Sequence, residues 1–169
     1  MIRLCLLVLF FLFNIAFPVL SYADNVVLKA GVSLDAIVPG VFFGSWRVKS
    51  VIIESDSSGF FKQNNVDLWN IFKNDDVITL ENPFSGARAS ITLREVKDNK
   101  VVFEKVGFYN NQKLIDIVEL YLDKNSFKGY NYIKLITISD VDGHILKTIN
   151  AKYSLYGDKI SGENVIIEE

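Results

Sequence analysis

The sequence predicts an all-β protein, about eight strands wound as an antiparallel up-and-down (meander) barrel. Three observations carry that expectation. Apolar and polar residues alternate with a period of two through most of the chain beyond Gly44. Short polar turns interrupt the alternation at Asn74-Asp75-Asp76, Asp98-Asn99, Asn110-Asn111, Asp123-Lys124-Asn125 and Asp142-Gly143. No stretch shows a strong helical period. Short hairpins make successive strands antiparallel neighbours, and closing the sheet removes the exposed edges that a flat one would leave.

Composition bounds the rest. The chain has 169 residues, 50% of them hydrophobic and 22% charged, enough for one domain with a real core. Residues 1–23 read as a signal peptide: Arg3 supplies positive charge, Leu4 to Phe13 is an apolar run too short to span a membrane, Pro18 breaks any helix, and Ser21-Tyr22-Ala23 places small residues at the cleavage site. The protein is therefore expected to be exported, periplasmic or extracellular. Cys5, the only cysteine, lies inside this segment, so the mature chain has no disulfide to hold it. That absence favours a bacterial envelope protein. The formal charge is −2 with signs interspersed, which offers no basic stripe for nucleic acid. No later apolar run is long enough for a transmembrane helix in the mature chain.

Residues 24–43 form a lead-in. Val26-Val27-Leu28 suits a short strand, and Val32 to Val38 suits a helical turn stopped by Pro39-Gly40. The barrel domain is expected over 44–169. Its first strand runs from Trp46 to Glu54, with Trp46, Val48, Ser50 and Ile52 on one face. A polar loop holding Phe60-Phe61 leads to strands at Val66–Lys73 and Val77–Asn82. Ala87 to Val96 alternates most cleanly, with Ala89, Ile91 and Leu93 opposite Arg88, Ser90, Thr92 and Arg94. Val101–Tyr109, Leu114–Leu122, Phe127–Ser139 (the longest) and Ile145–Tyr156 follow. Gly157 to Gly162 reads as a loop, and Val165 to Ile167 as a short ninth strand or an edge.

Gly44-Ser45-Trp46 at the head of the first strand resembles the Gly-X-Trp of the calycins, the lipocalins and their relatives. The resemblance covers that motif, the lead-in before it and the strand count. It implies that Trp46 closes the barrel floor, that Gly44 lets the strand bend against it, and that the interior can hold a ligand. The lipocalin Thr-Asp-Tyr is absent, its nearest counterpart being Ser139-Asp140-Val141 in a different hairpin. No Arg follows Arg94, and the tail carries no helix signal. Avidin-type and bacterial protease-inhibitor barrels share the opening motif.

Catalytic chemistry finds little purchase. His144, the only histidine, sits beside a turn with no nucleophile in view. Asp140-Val141-Asp142-Gly143 echoes the first half of a calcium loop without its later ligands. No phosphate-cradling loop or hydrolase motif occurs. The expectation is no enzyme, no cofactor and no metal. Two carboxylates interrupt apolar faces: Asp116 among Leu114, Val118, Leu120 and Leu122, and Glu104 among Val102, Val106 and Phe108. Where those faces point inward, the carboxylates are buried and must be paired; where the opposite faces do, they are wet.

The ligand-binding set drawn from the sequence is Trp46 at the floor, Ala89, Ile91 and Leu93 in the interior, Phe60 and Phe61 at the mouth, and Glu104 and Asp116 as polar anchors. The occupant expected is a small apolar or amphipathic molecule. The sixth and seventh strands are apolar on both faces, Ile115, Ile117, Tyr130 and Tyr132 included, so the second face is expected to be covered by the lead-in, a second copy or a protein partner. The alternative function is therefore an envelope interaction protein, an inhibitor or a structural subunit, with a filled barrel.

Overall fold

The computed structural model describes residues 38–57 and 59–162. The signal segment 1–23, the strand at 26–28, most of the turn at 32–38 and the strand at 165–167 lie outside the described residues.

The first described element is a 3-10 turn, Gly40–Phe42, with Pro39 (φ −57°) as its N-cap. Pro39-Gly40 thus starts a helical turn of its own, the fixed φ of proline suiting a helix start. Eight strands follow: β1 Gly44–Ser55, β2 Asn64–Asn74, β3 Val77–Asn82, β4 Ala87–Lys97, β5 Lys100–Tyr109, β6 Gln112–Leu122, β7 Ser126–Ile138 and β8 Ile145–Ser161. Each pairs with its neighbours in sequence, and β8 returns to β1, so the sheet is a closed antiparallel barrel.

Two sequence expectations are corrected. The longest strand is β8, with 17 residues against 13 in β7. Residues 157–161, read as loop, continue β8, because Gly157, Asp158, Lys159 and Ser161 pair with Val48, Arg47, Trp46 and Ser45 of β1. Glycine and mixed charge look like a loop locally, but closure supplies a partner strand that no neighbour in sequence announces.

The turns follow their chemistry. Asp75, Asp98 and Asn110 each take a positive φ of 51–52° at the first turn position, a region Asp and Asn tolerate better than other side chains. A bulge after Leu93 in β4 turns Val96, rather than Glu95, toward the core.

One end of the interior is filled. Phe42, Trp46, Phe103, Phe127, Val101, Val118 and Leu120 are each at most 1% exposed there. Phe127 lies 5.0 Å from Trp46 and 6.1 Å from Trp69, stacked on the latter, and Phe42 meets Phe103 edge-on at 5.9 Å. Gly157 makes room for this cluster: a Cβ there would stand 2.2 Å from the Phe127 ring. The outer wall carries Arg47, Lys49, Arg88, Ser90, Thr92 and Arg94 on β1 and β4.

Candidate functional site

The alternation that fills the floor also sets what lies above it. Trp46 points inward, so Val48 and Ser50 do too; the same parity on β2 brings Asp67 and Trp69 inward, and on β8 Tyr153 and Leu155. Above the floor the side chains become shorter and more polar, and the interior opens into a cup of about 400 Å3. Val48, Trp69, Leu80 and Leu155 form its apolar base. Ser50, Asp67, Asn82, Ala89, Lys105, Asp116, Asn131 and Tyr153 form its walls. Lys62 of the β1–β2 loop and Ser85 of the β3–β4 turn reach it, which places the mouth at the end opposite the 3-10 turn.

The cup is polar on selected walls. Lys105 and Asp116 are cross-strand partners on β5 and β6, and their side chains form an ion pair. Asp116 is 2% exposed, and its Oδ1 has no hydrogen-bond partner among the described residues. Asn131 of β7 stands diagonally across, opposite Val118, and its Oδ1 is likewise buried without a partner. The Asp67 carboxylate accepts from Asn82 Nδ2 at 3.0 Å and from the Asn65 amide. The Tyr153 hydroxyl donates to the Lys62 carbonyl at 2.9 Å, which ties the β1–β2 loop to β8. Burial pushes the Tyr153 phenol above its ordinary pKa.

Of the residues chosen from sequence, Ala89 and Asp116 line the cup. Trp46 lies beneath it, its Nε1 donating to the Phe42 carbonyl at 3.1 Å, with Lys159 Nζ over its ring at 4.9 Å. Ile91 and Leu93 are buried in the packed core below the cup. Phe60 and Phe61 meet edge-on at 5.0 Å; Phe60 is half exposed, Phe61 packs partly on the core, and neither lines the cup. Glu104 departs most from the expectation of a cup anchor: it points outward, where Arg94 Nε donates to it at 2.9 Å. Val101 and Phe103 occupy the inward face of β5 instead. Lys105, Asn131, Asp67 and Tyr153 were not chosen. Their parity with Phe103, Ile133, Trp69 and Leu155 was the available signal.

On the outer wall, Ile117, Tyr121, Tyr130, Tyr132 and Tyr156 remain about two-fifths exposed. Lys152 covers part of this band, its Nζ lying 4.9 Å from the Tyr130 ring and 5.2 Å from that of Tyr132. His144 Nδ1 lies 2.5 Å from Asp142 Oδ1 in the exposed β7–β8 turn. Hydrogen bonds from Ser139 and then His144 hold the Asp142 carboxyl below its usual pKa. In a comparison with known proteins, the chain matches no family model, no curated protein and no solved structure.

Proposed function

We propose that this protein is an exported, calycin-like barrel that binds one small amphipathic molecule in the cup. The observation that carries the reading is the division of the interior into a packed aromatic floor and an open, partly polar chamber of about 400 Å3. That volume lies within the range of small-molecule sites. The apolar base would bury a ligand's tail at about 25 cal/mol per Å2 removed from water, less the ordering cost. The polar walls would hold its head. Export rests on Arg3, the apolar run Leu4–Phe13 and the Ser21-Tyr22-Ala23 cleavage site.

Native mass spectrometry of the mature protein, purified without denaturant, tests this. A defined small mass should accompany the barrel, and Ala89→Phe, which fills the cup, should displace it. A chain that remains ligand-free and binds no amphiphile sinks the proposal. A second reading, an interaction protein, draws on the outer tyrosine and isoleucine band of β6 and β7. It predicts a dimer or a captured partner with an empty cup in the same spectrum.

A further inference from the structure

The walls of the cup are unequal in hydrogen-bonding sense, and that inequality bears on the ligand. Given a cup that binds a ligand, as proposed above, its walls select the head group. An acceptor buried without a donor is costly, and a carboxylate oxygen more so. Asp116 Oδ1 and Asn131 Oδ1 are both such acceptors, on adjacent strands of one wall. The Lys105 ammonium pairs with the other Asp116 oxygen, and the Asn65 and Asn82 amides donate to Asp67, so none of these three fills either acceptor.

Charge points the same way. Lys105 balances Asp116, while Asp67 forms no salt bridge among the described residues. The two other cations at the cup do not offset it. Arg88 Nη2 lies 3.1 Å from Glu81, with its guanidinium over the Phe72 ring at 5.7 Å. Lys62 stands on the β1–β2 loop and is exposed, so solvent screens its charge. An anionic head would meet two carboxylates and one paired lysine inside the cup. A cationic head would meet two unfilled acceptors and, below the mouth, two carboxylates against one lysine.

We infer that the head group this cup takes is a hydrogen-bond donor of positive charge, a primary or secondary ammonium on an apolar tail, held by Asp116 with Asn131 and Asp67 beside it. The tail lies on Trp69, Leu80 and Leu155. Lys105, paired with Asp116, orients that carboxylate.

Isothermal titration of the mature protein with n-octylammonium chloride, 1-octanol and sodium octanoate tests the inference, because the tail is constant and only the head changes. Octylammonium should bind about tenfold or more tighter than octanoate, the worth of one charge-assisted bond. Asp116→Asn should bring the two within about twofold of each other. On the unaltered chain, the carbon-13 carboxyl resonance of Asp116 should move further with octylammonium than with octanol, whose hydroxyl donates a neutral bond. That measurement serves even where Asp116→Asn fails to fold. Equal binding of all three compounds, or a preference for octanoate, overturns the inference and leaves the cup a binding site of another kind. No binding by any of them, with no co-purified mass, removes the cup reading as well.

Discussion

Trp46 does two jobs with one side chain. Its ring seals the interior against Phe127, and its indole N–H holds the Phe42 carbonyl, so the 3-10 turn is fastened to the floor it covers. Lys159 reinforces the fastening, with Nζ over the indole at 4.9 Å and 2.6 Å from the Val41 carbonyl. Trp46→Ala should cost about 3–5 kcal/mol through lost burial and an unfilled cavity. Trp46→Phe keeps much of the apolar volume but orphans a buried carbonyl, and should cost about 1–3 kcal/mol. Urea unfolding of both variants checks this; a Trp46→Phe chain as stable as the parent would show that the indole bond contributes nothing. Gly44 beside it has φ +117°, and a Cβ there would stand 2.3 Å from the Ser161 carbonyl oxygen, so the motif needs glycine for space as well as for conformation. The Gly-X-Trp pattern made this corner legible from sequence. The two carboxylates were not resolvable the same way. Asp116 and Glu104 sit in similar apolar alternations, yet one faces the cup and the other Arg94. Parity along a strand tells which residues share a face, not which face is inside, when both faces are apolar.

At the scale of elements, the closing seam between β1 and β8 is where local reading failed and where ionic contacts matter. Arg47 and Asp158 are cross-strand partners on the outer face, 3.0 Å apart. The hydrogen bond from Arg47 holds the Asp158 carboxyl below the usual carboxylate range. A carboxyl whose pKa is lower in the folded chain adds stability above the ordinary Asp value of about 3.9 and loses it as pH falls through the folded value. Asp158→Asn should therefore cost less than about 1 kcal/mol at pH 7, the pair being largely exposed. The difference from the parent should close as pH drops below about 3.9. Unfolding curves taken across that range check it; a difference that stays constant into acid would mean that the side chain acts through packing instead. The same seam explains why the last third of β8 looked like loop. Its partner is about a hundred residues away in sequence, and pairing at that distance leaves no local signature.

At the scale of the whole molecule, the barrel is firm at one end and open at the other. The floor half combines the aromatic cluster with the β6–β7 pairing from Leu122↔Phe127 to Val118↔Asn131. The mouth half trades packing for the cup. Native-state hydrogen exchange should follow this gradient: amides of Val118, Leu120, Phe127 and Leu155 should open only with global unfolding, and those of Asn82, Tyr109 and Gln112 well before. Uniform protection along β5 and β6 would contradict the division.

Strand number, turn positions and antiparallel order are written in the alternation and the turn residues, because each depends on neighbours within a few positions, and the indole plug was implied by the Gly-X-Trp resemblance. What the tertiary structure alone decided is the hollow: how deep the floor reaches, which wall of β5 looks inward, and that Lys105, Asp116, Asn131 and Asp67 meet around one space. These residues come from four strands, and the gap between them is set by the sum of side-chain volumes across the barrel, a quantity that no single strand contains.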